Sequence, residues 1–154
     1  MRVYISGPLH AAPDLSEARR LYESAAAACR ASGWEYYLPH LSTDPVRHRE
    51  LGTETVFRRD LGALATSDAV LAFIGTPSSG VGAELGIAFL TRKPVLALYR
   101  SGESPSRFLL GMLNDMRAVV CPFAGTDEAY QLIQDVLCGV GTYCSFRNFL
   151  CFRG

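Results

Sequence analysis

The feature that most constrains this chain is the run from Ala69 to Ile74, AVLAFI, which has no polar member and is bounded by Asp68 and Gly75. Strict alternation would mark a strand with one wet face. An unbroken apolar run of this length marks a strand covered on both faces, the habit of parallel sheets flanked by helices. The loop that follows, TPSSGVG, is built of small residues that leave its backbone open, and Ala83 to Leu90 reads as a helix. Such a strand–loop–helix unit brings loop N–H groups and a helix start to one spot, where an anion such as phosphate is favoured. Glu84 stands in the first turn of that predicted helix, among apolar neighbours. Two readings of it stand side by side. Acids are common in first turns, where the dipole favours them; or this carboxylate is held ionised beside an anion site, poised to attack an electrophilic carbon.

The rest of the chain repeats the alternation. Val3 to Ser6, Trp34 to Leu38, Pro94 to Leu98 and Val119 to Pro122 are short β-prone runs. Between them, Leu15 to Ser32 keeps apolar residues at helical spacing, with Asp14 or Ser16 as its cap and Gly33 as its end. Thr53 to about Ala65, Phe108 to Met116 and Thr126 to about Leu137 read as further helices, the last capped by Thr126. Ser42 to Glu50 is a loop or a short irregular helix, and Arg100 to Arg107 a polar loop. The prediction is an α/β fold, a single Rossmann-like (flavodoxin-like) domain over residues 1–138. Its five-stranded parallel sheet carries helices on both faces, with ligands at the carboxyl ends of the strands. That rim collects Gly7, Pro8, His10, His40, Ser78 to Glu84 and Arg100. Periodicity does not place Asp60 relative to it. No glycine fingerprint follows the first strand, so a dinucleotide is not implied.

Composition narrows the function. The 154 residues carry 15 basic and 15 acidic side chains and no basic block, which argues against a nucleic-acid polymer as partner. No apolar run reaches membrane-spanning length, and Met1-Arg2 leads into a strand rather than a signal peptide. Cys29, Cys121, Cys138, Cys144 and Cys151 lack the paired spacing of a zinc site, and an odd, scattered set fits a reducing cytoplasm.

Three segments, YISGPL, RRDLGALATSDAVLA and PSSGVGAELGIAF, resemble the nucleoside 2-deoxyribosyltransferase superfamily. Within it they look most like the 2'-deoxynucleoside 5'-phosphate N-hydrolases and the related CMP N-glycosidases. The likeness runs from Val3 to about Leu137; the segment 139–154, GVGTYCSFRNFLCFRG, resembles nothing recognised and is a tail of unassigned role. The resemblance implies a metal-free, cofactor-free enzyme in which Glu84 attacks the anomeric carbon and expels the base. Water then releases the sugar phosphate. The helix start and loop amides would keep Glu84 ionised. Asp60 matches the second acid, which orients Glu84 and assists proton transfer to the base.

Ser78 separates the branches. The transferases, which act on free nucleosides, carry an Asp at the matching position; a serine donates to a phosphate where a carboxylate would repel it. Gly80 and Gly82 expose further backbone donors, Gly7 matches a glycine near the sugar phosphate, and His40 matches a histidine near the pocket. Tyr4, with Ile5, would line the base pocket. The family also implies a homodimer in which a partner subunit completes each pocket with a serine before an Ala-Met pair. This chain has Leu110-Gly111-Met112 there, so Ser106, Arg107 or Asn114 would substitute, with Arg107 suited to phosphate. Phe108 to Leu113 supplies an apolar dimer face.

The reading that follows is an N-glycosidase of nucleoside 5'-monophosphates. Its competitors are a deoxyribosyltransferase and a nucleotide-binding module without catalysis. A phosphoribohydrolase of the cytokinin-activating type would need a Pro-Gly-Gly-x-Gly-Thr signature that is missing.

Overall fold

The computed structural model describes residues 1–8, 14–44 and 46–139. His10, Cys144, Cys151 and residues 140–154 of the tail lie outside them. Strand and helix alternate as predicted: β1 (Arg2–Ser6), α1 (Leu15–Ala31), β2 (Glu35–Tyr37), α2 (Pro39–Ser42), α3 (Thr53–Thr66), β3 (Ala69–Phe73), α4 (Ser79–Leu90), β4 (Val95–Arg100), α5 (Arg107–Asp115), β5 (Val119–Phe123) and α6 (Thr126–Cys138). All strand pairs are parallel, in the order β2-β1-β3-β4-β5.

Because successive strand residues face opposite ways, each strand feeds two cores. Val3 and Ile5 of β1, with Ala69, Leu71 and Phe73 of β3, face the layer built by α1 and α6. Tyr4 of β1, with Val70 and Ala72 of β3, faces the layer of α3, α4 and α5, where Leu64, Val81, Leu85, Ala88 and Leu113 pack. The apolar run of β3 is thus fully buried because it has a helix layer on each side. The chain leaves β1 toward β2 and β3 toward β4, so the carboxyl ends of β1 and β3 flank the switch point of the sheet.

Several local predictions are decided by hydrogen bonds. Asp14, not Ser16, caps α1, its Oδ1 accepting the N–H groups of Ser16 and Glu17 at 2.8 and 3.0 Å. Gly33 ends the turn after α1 with φ +76°, a conformation that glycine adopts without strain. Thr126 is not the cap of α6. Gly125 holds that position, and Glu128 reaches back to accept the Ala124 N–H at 2.6 Å.

The largest correction concerns α4, which begins at Ser79 rather than Ala83. Ser78 is its N-cap, its Oγ accepting from the Val81 N–H at 3.4 Å. Gly80 and Gly82 therefore lie inside the helix. Two glycines cost it roughly 1 kcal/mol each in propensity, which burial of Val81, Leu85 and Ala88 offsets. Glu84 consequently sits in the second turn, beyond the reach of first-turn dipole stabilisation.

Candidate active site

Tyr4 and Ser6 are two residues apart on β1, so both point to the α3/α4 side, while Ile5 between them joins the other core. Both are fully buried. Their hydroxyls converge on Glu84: Tyr4 donates to Oε1 at 2.7 Å and Ser6 to Oε2 at 2.5 Å. The charge stabilisation expected from helix and loop amides comes instead from these hydroxyls. Burial nonetheless pushes the Glu84 carboxyl up, the two hydroxyls pull it down, and the charge of Asp60 pushes it up again. The Tyr4 ring is fully buried, and burial followed by the neighbouring Glu84 charge raises its phenol far above the ordinary value.

Asp60 is held in the same manner by a second tyrosine. Tyr4 and Tyr37 are register partners on β1 and β2, and their rings stack with centroids 5.6 Å apart at 18°. The Tyr37 hydroxyl donates to Asp60 Oδ1 at 2.8 Å, and the Thr43 hydroxyl lies 3.1 Å from both carboxyl oxygens. Burial raises the Asp60 carboxyl against the opposing pull of Tyr37, Thr43 and the Arg59 charge. Each acid thus has one phenol and one aliphatic hydroxyl within hydrogen-bond distance, and the stacked rings fix the two phenols against each other. The loop bearing Thr43 is pinned by Asp44. Burial opposes its ionisation, but the Arg47 and Val46 N–H groups and the Arg19 guanidinium bring its carboxyl below the ordinary value. Arg19 donates to Asp44 from α1 at 3.0 Å through Nε.

The remaining predicted site residues divide. Gly7 is required by packing: a Cβ there would lie 2.4 Å from Tyr22 Cζ, and the Tyr22 hydroxyl donates to the Pro8 carbonyl at 3.1 Å. His40 is buried, with Nε2 3.3 Å from Glu23 Oε1 and its ring 6.1 Å from that of Tyr22. Both contacts belong to α1, and burial pushes its imidazole toward the neutral form despite Glu23. Ser78 and Gly80 stand at the free start of α4, where first-turn N–H groups lack helical partners. The Gly82 N–H is spent on the Ser78 carbonyl at 3.0 Å, which removes it from the donors available to a ligand.

Ser78 opens into a groove of about 510 Å³ between α4 and α5, lined also by Ser79, Ser106, Phe108, Leu109 and Met112. Of the three candidates to replace the family serine, Ser106 shares this groove. Arg107 begins α5 at the same rim, exposed. Asn114 lies at the far end of α5, which leads back toward the start of β5, so within one protomer it is on the opposite edge of the sheet. Among the described residues no cluster of three or more His, Cys, Asp or Glu side chains could hold a metal ion, and no helix is long and apolar enough to cross a membrane.

Ser6, Tyr37 and Thr43 were not singled out from the sequence as site residues. The signal for Ser6 was its spacing of two from Tyr4 in a buried strand; Tyr37 and Thr43 carried none before the register of β1 with β2 was known.

The family model described as nucleoside 2-deoxyribosyltransferase matches residues 3–121. A Methanosarcina barkeri protein named as a 2'-deoxynucleoside 5'-phosphate N-hydrolase is 38% identical over 85 residues, 55% of this chain, and the chain spans about half (52%) of that relative's length. The 5-hydroxymethyl-dUMP N-hydrolase of Tetraodon nigroviridis is 32% identical over 146 residues, covering 88% of this chain and 96% of that protein. Among solved structures, the CMP N-glycosidase of Clostridium botulinum superposes with a TM-score of 0.67 at 18% identity, over 86% of this chain and 97% of that one. A 2-deoxyribosyltransferase from Bacillus psychrosaccharolyticus gives 0.65, also at 18%, over 95% and 96%. At those identities the structural likeness speaks for the fold alone. With a flavodoxin-like strand order and a family match from the first strand into the last, the chain belongs to the nucleoside 2-deoxyribosyltransferase family.

Proposed function

We propose that this protein hydrolyses the N-glycosidic bond of a ribo- or deoxyribonucleoside 5'-monophosphate, with Glu84 as nucleophile and Asp60 as the acid beside it. The observation that carries the reading is the pair itself. Two partly buried carboxyls at the switch point each have two hydroxyls within hydrogen-bond distance, close enough for the Asp60 charge to act on Glu84. Buried carboxyls that feel each other resist ionising together, so one proton is retained by the pair, the requirement for one nucleophile and one proton donor. A Glu84 oxygen attacks C1' of the sugar as the C1'–N bond breaks and its electron pair leaves with the base. Asp60 gives its proton to the departing base nitrogen. Water then attacks C1', the ester bond to Glu84 breaks, and the water proton returns to Asp60, so configuration at C1' is retained.

Ser78, with the Ser79 and Gly80 N–H groups at the start of α4, would take the 5'-phosphate. The names borne by the relatives from Methanosarcina and Tetraodon favour a phosphorylated substrate over a free nucleoside. The active form in this reading is a homodimer. Phe108 is 85% exposed on α5 beside the Ser78 groove, and a second copy covering it would bring its own α5 toward the phosphate. The test is free-base release from a panel of ribo- and deoxyribonucleoside 5'-monophosphates with the matching nucleosides alongside. Release from monophosphates alone is expected. Base exchange on free nucleosides would move the protein to the transferase branch, and tight binding without turnover would make it a binding module.

A further inference from the structure

The two acids are chemically alike and both raised by burial, so something must decide which one keeps the proton. Their hydroxyl partners differ in one respect. Glu84 has a separate donor on each oxygen, and neither donor has another acceptor among the described residues: Tyr4 on Oε1 at 2.7 Å, Ser6 on Oε2 at 2.5 Å. A proton added to Glu84 must turn one of these buried hydroxyls away from the one acceptor it has among the described residues. Asp60 is different. Oδ1 has the Tyr37 hydroxyl at 2.8 Å, but among the described residues Oδ2 has only Thr43, whose single proton is contested by the Pro39 carbonyl at 3.0 Å and both Asp60 oxygens at 3.1 Å. If Thr43 donates to Pro39, as a side chain bonding back one turn does, its lone pair faces Oδ2 and can accept from a protonated Asp60.

Resting on the hydrolase reading above, we propose that Ser6 is a positioning residue that holds Glu84 as the anion of the pair and leaves the shared proton on Asp60 Oδ2, against Thr43. Without Ser6, Tyr4 would still occupy Oε1, but Oε2 would stand open to the proton and the two acids would exchange roles. The charged groups pull the other way, Arg59 favouring the anion of Asp60 and the Asp60 charge raising Glu84, so the two hydroxyls on Glu84 must outweigh them. Tyr4 from β1 and Tyr37 from β2 are neutral phenols, Asp60 from α3 is the competitor, and Arg59 acts on Asp60. The Arg2 guanidinium lies over the Tyr37 ring, 5.6 Å from its centroid.

The experiment follows the two carboxyl carbons by 13C NMR titration of the full chain, assigned with Glu84→Gln and Asp60→Asn, beside the pH profile of base release. In the wild type Glu84 is expected to ionise at lower pH than Asp60. In Ser6→Ala the order reverses, the acid limb of the profile moves to higher pH, and release at neutral pH falls at least about tenfold, the worth of one charge-assisted hydrogen bond. Ser6→Thr, which keeps the hydroxyl, restores order and limb. A uniform loss of rate in Ser6→Ala with the Glu84 titration unmoved would overturn the proposal while leaving the hydrolase reading intact. Silence of the wild type on every monophosphate would overturn the reading, and an unchanged titration order in Ser6→Ala would sink the proton assignment without reference to activity.

Discussion

Replacing Glu84 by Gln should abolish base release and, at neutral pH, make the protein more stable. Burial first, and the Asp60 charge after it, raise the Glu84 carboxyl above its ordinary value, against the Ser6 and Tyr4 hydroxyls. A carboxyl raised in the folded state binds its proton more tightly folded than unfolded. Its stabilising contribution is therefore complete below the unfolded pKa and lost as pH rises through the folded one. Above that window the wild type carries a partly buried charge facing a second acid. Gln is neutral at every pH and still offers an oxygen to one hydroxyl and an N–H to the other. Relief of the charge is worth about 1–2 kcal/mol, from which weaker neutral hydrogen bonds take back a part. The net gain of about 1 kcal/mol raises the melting temperature by roughly 2–4 °C in a domain of this size. Thermal melts of both proteins from about pH 5 to pH 8 read it: the gap should widen as pH rises and close at the acid end, while nucleotide binding survives. A Gln variant that melts below wild type at the alkaline end, or a gap independent of pH, would refute the claim that this site stores an unfavourable charge.

Other outcomes follow from the same geometry. Ser78→Asp keeps a good helix cap, so the fold should persist while binding of monophosphates weakens at least about tenfold more than binding of nucleosides; equal loss would remove the phosphate assignment. Gly7→Ala puts a Cβ 2.4 Å from Tyr22 Cζ and should cost about 1–3 kcal/mol in urea denaturation. That cost should shrink in a Tyr22→Leu background, and strict additivity would show that the contact does not matter. Phe108→Glu alters a side chain that is 85% exposed, so monomer stability should hold. Light scattering should then report a shift from dimer to monomer with reduced base release, and an active monomeric wild type would contradict the shared pocket.

The acids were legible in different degrees. Glu84 stands out in the sequence as a lone carboxylate in an apolar helix after a small-residue loop, whereas its reading as nucleophile, and the choice of Ser78, come from the family likeness. Asp60 was visible only through the family likeness, because in an Arg-Arg-Asp run a solvated helix acid has the same pattern. The start of α4 was misplaced because glycines at 80 and 82 argue for a loop by propensity, whereas the Ser78 cap and the burial of Val81 and Leu85 outweigh them.

The sequence by itself determined the architecture. Unbroken apolar runs between helical periods admit only a parallel sheet with two covered faces, and such a sheet gathers its loops on one rim. What only the tertiary structure decided is who touches the acids. Whether Tyr4 faces a ligand or a carboxylate depends on which helix covers its side of β1. Tyr37 reaches Asp60 only because the β1–β2 register stacks it on Tyr4. Hydrogen-bond partners separated by 80 and 78 residues, as Tyr4 and Ser6 are from Glu84, leave no mark in local periodicity. They are fixed by strand pairing and helix packing, which place groups from distant parts of the chain within a few ångströms of each other.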